Sequence, residues 1–341
     1  MKLARRGLMA AGAGMLLPNH GWADRAALEA GARREGSVTW YIAQMTGEAA
    51  EAMGKRFTQR FPGVNVTAIR TTGQVAYERL SQELKNSTLQ CDVFSSTDIA
   101  HYPALRARGA LAKYDAENAA ALAPAYQGQG EDGFYYPTSA SLQIMVYHTK
   151  NVKTGEQPLR CTDLLDPKWK GRVGIAHPAF SGYFGQWVLA MRKQYGWEFF
   201  EKLAKNNPRI GRSGNDPISL LNAGECLIGT GPVSTAVQNM EKGNPIGFVY
   251  PEDGTVLTVG CSAVVEKAPH PFAARLFQEW LLSLDYAEAC KDWHLEPVRA
   301  DAPRMSGTKS LAELKLLRLT TAEIAKGIPE AVEQWRDTFG N

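Results

Sequence analysis

From Ser37 onward the chain alternates short β-rich runs with longer stretches of helical periodicity, which restricts it to α/β units and excludes a sandwich or a helix bundle. VTWYI at 38–42 reads as the first strand. Ala49, Met53, Phe57 and Phe61 then recur four apart while Glu51, Lys55 and Arg56 fall elsewhere, the pattern of an amphipathic helix over 48–61. Pro62 and Gly63 break it, VNVTAIR at 64–70 reads as a second strand, 75–85 as a second helix and CDVFSS at 91–96 as a buried strand. Further strands are expected at 145–149, 172–178, 226–231, 246–251 and 256–265. Helices are expected to begin near Ser181, Trp197, Asp216 and Val233, with helical runs over 271–284 and 311–325.

At about 150 residues per domain the 341 residues call for two domains, yet no Gly-, Ser- or Pro-rich tether divides them. Two domains joined by crossing strands reconcile the two facts. In open α/β sheets the ligand crevice lies beyond the carboxyl ends of the strands, so the loops of interest are 44–48, 71–74, 95–98, 137–140, 179–185, 212–216 and 251–255. Many of these residues are Thr, Ser and Gly ahead of a helix, a composition that offers hydroxyls and free N–H groups to an anion. Thr46, Ser96 or Thr97, and Ser181 are equally suited to be plain helix N-caps. Arg70 and Arg212 flank the loops and have the fork geometry for a carboxylate or phosphate, although a solvated surface position suits either.

Residues 1–23 carry Lys2, Arg5 and Arg6, an apolar run over 8–17, and small residues at Gly21 and Ala23, the pattern of a cleaved export signal. Arg5 and Arg6 resemble the pair of a twin-arginine signal, which implies export to the periplasm. These three basic residues account for the whole formal charge of +3, so the remainder has no basic excess with which to cover nucleic acid phosphates.

Catalytic motifs are lacking. GQGEDG at 128–133 matches G-x-G-x-x-G, but no helix opens at it. There is no nucleophile elbow, P-loop, H-E-x-x-H or EF-hand loop, and no two histidines after residue 23 lie within five positions of each other. Five cysteines are scattered without C-x-x-C spacing, so neither a zinc site nor a disulfide is assigned. Tyr135, Tyr136, Tyr147 and Tyr183 are core candidates whose phenolates would also suit ferric ion.

Several stretches together resemble the periplasmic solute-binding proteins of ABC importers, specifically the group with ferric-ion-binding and small organic-anion-binding members. They are DVFSSTDIAHYPALRARGALAKY, VYHT, TDLLDPKWKGRVGIAHPAFSGYFGQW, LLNAGECLIGTG and VYPEDGTVLTVGCSAVVEKAPHPFAARLF. The resemblance implies an α/β, two-lobe Venus-flytrap fold with crossing hinge strands. Its expected lobes are 24–140 plus 256–300 and 141–255 plus 301–341. It also implies a monomer without enzymatic activity or cofactor, capturing a small molecule and delivering it to an inner-membrane permease. The expected ligand-binding residues are Thr46, Thr72, Ser96, Thr97, Ser139, Ser181, Gly182, Tyr183 and Arg212, for a phosphonate, sugar phosphate or carboxylate. The alternative is ferric ion held by Tyr135 and Tyr183 with a synergistic anion. Ferric-binding relatives carry two consecutive tyrosines after the strand that here reads CLIGTG, whereas this chain has Gly231, Pro232, Val233 and Ser234.

Overall fold

The β-rich runs assemble into one curled mixed sheet. A computed structural model describes residues 25–131, 133–303 and 307–340; the expected export signal over 1–23 lies outside them. The strands are β1 (Ser37–Ile42), β2 (Asn65–Arg70), β3 (Val93–Ser96), β4 (Tyr136–His148), β5 (Val173–Ala176), β6 (Arg209–Gly211), β7 (Ile228–Pro232), β8 (Ile246–Val249), β9 (Thr255–Val264) and β10 (Leu316–Leu317). The helices are α1 (Arg25–Glu35), α2 (Gly47–Arg60), α3 (Gly73–Asn86), α4 (His101–Ala107), α5 (Gly182–Tyr195), α6 (Glu198–Lys205), α7 (Asp216–Asn222), α8 (Val233–Glu241), α9 (Pro271–Leu281), α10 (Leu284–Asp292) and α11 (Thr321–Phe339).

The sheet order is β2-β1-β3-β9-β4-β7-β5-β6, with β8 on β4 and β10 on β9. Its two outer groups, β2-β1-β3 and β7-β5-β6, are internally parallel. The long strands β4 and β9 lie between them and are antiparallel to each other, paired from Tyr136 opposite Ser262 to Gln143 opposite Val256 with one register shift between Pro137 and Ser139. Beyond Gln143, β4 pairs with β7 on one edge and β8 on the other, so a single strand passes from one group into the next. This continuity takes the place of a tether.

The stripe of α2 is buried as its spacing requires, with Ala49, Met53 and Phe57 inward. Phe57 meets Phe277 of α9 edge-on at 4.9 Å, and Phe277 meets Trp40 of β1 at 5.1 Å. In the other group Trp187, Phe200 and Trp335 form the equivalent aromatic packing.

Three expectations are corrected. The strand expected at 145–149 begins at Tyr136, nine residues earlier, because Ser139, Ser141 and Gln143 are polar positions on a strand, not loop residues. The helix expected over 271–284 ends at Leu281, and α10 begins at Leu284 where the Ser283 hydroxyl accepts from the Tyr286 N–H at 3.2 Å. The run 311–325 is a short 3-10 turn and β10; the true helix starts at Thr321, behind a capping box in which Thr320 and Glu323 satisfy each other's backbone N–H groups.

Candidate functional site

The carboxyl ends of β1, β2, β3, β5, β6 and β7 converge on one cleft, as the crevice rule for parallel strands requires. Of the expected residues, Thr46, Thr72, Thr97, Ser181 and Tyr183 line it; Ser96, Ser139, Gly182 and Arg212 do not. Ser96 is fully buried, with its hydroxyl bonded to His101 Nδ1 at 2.9 Å. Ser139 is held against the Tyr183 hydroxyl at 2.9 Å. Gly182 donates its N–H to Thr97 Oγ1 at 3.2 Å, and Arg212 is exposed with its guanidinium 4.3 Å over the Phe180 ring. The loop 251–255 is absent from the lining. It is an excursion between β8 and β9, which run in line along one edge of β4, so it leads to no cleft helix. Asp253 instead accepts from the Cys161 N–H at 2.9 Å and the Tyr195 hydroxyl at 2.7 Å.

Arg70 closes β2 and lines the cleft. It donates from Nε to Met45 O at 3.0 Å and from Nη2 to Ser213 Oγ at 3.3 Å, across the cleft. Burial lowers its pKa, partly offset by the charge of Asp216, but a guanidinium stays protonated. It makes no ion pair with any described residue. A desolvated cation with unused N–H donors is a seat for an anion.

The helix ends divide into two kinds. Thr46 and Ser181 cap α2 and α5 with their own hydroxyls, accepting from Ala49 N and Phe184 N at 3.3 Å. With Gly182 N–H also taken by Thr97, the start of α5 is already served by protein. The starts of α3 and α8, by contrast, have no side-chain cap, and both open on the cleft through Thr72, Gly73, Ser234 and Thr235. The Thr72 and Ser141 hydroxyl oxygens are buried at this cleft without any partner. Such groups are costly unless something binds them.

Ser141 and Gln143 were not anticipated. They sit two apart on β4, on one face of the pleat with Ser139, and Leu142 and Ile144 point the other way into the core. The signal was legible: three polar residues at period two inside an apolar strand. Asn215, Ser234 and Gln238 also line the cleft and carried no motif.

The ferric alternative is not assembled. Tyr135 is 3% exposed and stacked on Tyr102 at 4.8 Å, away from the cleft lining, and burial pushes its phenol up to about 12. Tyr183 does line the cleft, but burial likewise raises its pKa. Pro232, at the end of β7, and Ser234, just after it, line the cleft, and no tyrosine stands there.

Across the cleft the facing segments touch directly. Besides the Arg70–Ser213 bond, a Cβ placed on Gly182 would lie 2.3 Å from Thr97 O and 2.4 Å from Asp98 N. Glycine is required there by the approach of two backbones.

Residues 91–318 match the family described as bacterial extracellular solute-binding protein. A putative 2-aminoethylphosphonate-binding periplasmic protein of Salmonella typhimurium strain LT2 is 24% identical over 280 residues, covering 78% of this chain and 76% of the relative. Among solved structures, the periplasmic binding protein AfuA from Actinobacillus pleuropneumoniae, with exogenous fructose-6-phosphate bound, superposes with a TM-score of 0.81 at 22% identity, over 89% of this chain and 99% of that one. Iron-bound HitA from Pseudomonas aeruginosa gives a TM-score of 0.73 at 24% identity, over 89% and 99%. The shared fold is therefore the two-lobe periplasmic binding protein fold.

Proposed function

Because the chain belongs to the bacterial extracellular solute-binding protein family, a family of transport proteins, we propose that it captures a small organic anion in its cleft and delivers it to an ABC permease. The lobes are 24–140 plus 256–300 and 141–255 plus 301–341, hinged on β4 and β9, and the monomer works in the periplasm without catalysing a reaction. Export removes residues 1–23 by the twin-arginine route.

The observation that carries the anion reading is Arg70: the cleft holds a partly buried guanidinium without an ion-pair partner among the described residues. Two uncapped helix starts and the unpartnered Thr72 and Ser141 hydroxyls surround the same space. A phosphonate, sugar phosphate or carboxylate would accept from all of these. The phosphonate-binding and sugar-phosphate-bound relatives lend the reading support.

The test is a thermal-shift series of organic anions against the purified protein. At a hundred times its dissociation constant a cognate anion adds about 2.7 kcal/mol, raising the melting point by about 5 to 10 °C. Thr72→Val should keep the unliganded melting point, since it removes a hydroxyl that has no partner, and weaken the stabilising anion by about 5- to 10-fold. An anion series without a stabiliser, or a Thr72→Val protein that binds like the wild type, would count against the assignment.

A further inference from the structure

The charge and polarity of the cleft discriminate among organic anions, and we infer that it selects a polyhydroxylated phosphate monoester, a sugar phosphate or its like, over an anion that bears an ammonium group. This rests on the reading of the cleft as an anion site.

The positive charge matches a doubly charged head group. Arg70 supplies one unit, and the uncapped starts of α3 and α8 each supply the equivalent of about half a unit, roughly two in all. A phosphate monoester carries about −1.5 to −2 at neutral pH, whereas a lone carboxylate carries one negative charge. Ser141, 6% exposed and with an unpartnered hydroxyl, lines the same space and supplies a donor beyond the helix ends.

The remaining lining is neutral and rich in hydrogen-bonding groups. Gln143, 4% exposed, makes no side-chain hydrogen bond to another described residue. Asn215 uses its Oδ1 to accept from Thr235, leaving its amide N–H groups free, and Gln238 uses its Nε2 on Trp293 O, leaving its carbonyl free. Amides with both donors and acceptors to spare are complementary to hydroxyls, which need both. Phe180 adds an apolar surface for C–H groups.

No aspartate or glutamate is among the described residues that line the cleft. Asp216, behind the loop, already accepts from Ser213 N at 2.9 Å and faces the charge of Arg70. An ammonium drawn into this cleft would be desolvated beside a guanidinium without a carboxylate to meet it, the arrangement that buried charges avoid.

Calorimetric titration of the full purified protein decides the matter with four probes: fructose 6-phosphate, glycerol 3-phosphate, 2-aminoethylphosphonate and inorganic phosphate. At least one of the two hydroxylated esters should bind about 30-fold or more tightly than 2-aminoethylphosphonate, and more tightly than inorganic phosphate. Equal or tighter binding of 2-aminoethylphosphonate overturns the selectivity while the anion site stands. Failure of all four probes overturns both. Gln143→Glu, which supplies the missing carboxylate, should cost the hydroxylated ester about 30-fold and improve 2-aminoethylphosphonate. Asn215→Asp serves the same purpose if circular dichroism shows the first variant misfolded. Unchanged preference in a folded variant of either kind contradicts the inference.

Discussion

Alanine at Gly182 should leave the unliganded protein folded and cost it about a hundredfold or more in affinity for its anion. Gly182 begins α5, where alanine is a better helix former than glycine, and its φ is not in the left-handed region. The added methyl group meets the Thr97 carbonyl oxygen and the Asp98 N–H at 2.3 and 2.4 Å, backbone atoms that no rotamer change can move away. The two surfaces must part, and with them go the Gly182–Thr97 and Arg70–Ser213 bonds. A ligand that gains contacts from both sides only when the cleft is shut loses that half of its binding energy. Calorimetry and small-angle scattering check this together: the variant should bind weakly and keep the larger radius of the open form when the anion is added. A Gly182→Ala protein that closes and binds normally would show that this approach is not part of ligand capture.

Removal of the Arg70 guanidinium should have an effect of similar size. Truncating one partner of a buried, hydrogen-bonded charge pair costs about 2 to 5 kcal/mol, so Arg70→Ala should lose roughly 30-fold or more in anion affinity. Arg70→Lys keeps the charge but not the planar fork that also holds Met45 O and Ser213 Oγ, and should recover only part of the loss. Because those two bonds are also structural, the unliganded melting point of each variant is the control. Binding within about threefold of wild type in folded Arg70→Ala would remove the cation from the site and the anion reading with it.

Much of the fold was legible because its determinants are local. The four-residue spacing of Ala49, Met53 and Phe57 is enough to orient α2, and the breaks at Pro62 and Gly63 are enough to end it. The missing tether was legible as crossing strands, and the sheet has them in β4 and β9. The errors came where a tertiary partner overrides a local pattern. Ser139 read as part of a loop over 137–140 and Ser141 and Gln143 were passed over, yet all three belong to a strand whose other face is core, and the pairing of β4 with β9 sets that strand beside the cleft.

The site followed the same division. Strand ends could be located from sequence, and Thr46, Thr72, Thr97, Ser181 and Tyr183 line the cleft at those ends. Whether a hydroxyl faces ligand or protein depends on neighbours distant in the chain. Ser139 is taken by Tyr183, 44 residues further on. Arg70 and Arg212 looked alike as flanking arginines. The first is desolvated and crosses to Ser213, 143 residues away, while the second lies exposed on Phe180.

The most direct measurement is mass spectrometry of the protein purified without added ligand, first intact under native conditions and then after denaturation to release what it carries. The expected result is one equivalent of a small organic anion, displaced in parallel by the anion that gives the largest thermal shift. A released cation or neutral compound, or ferric ion with a visible tyrosinate charge-transfer band abolished by Tyr183→Phe, would contradict the account.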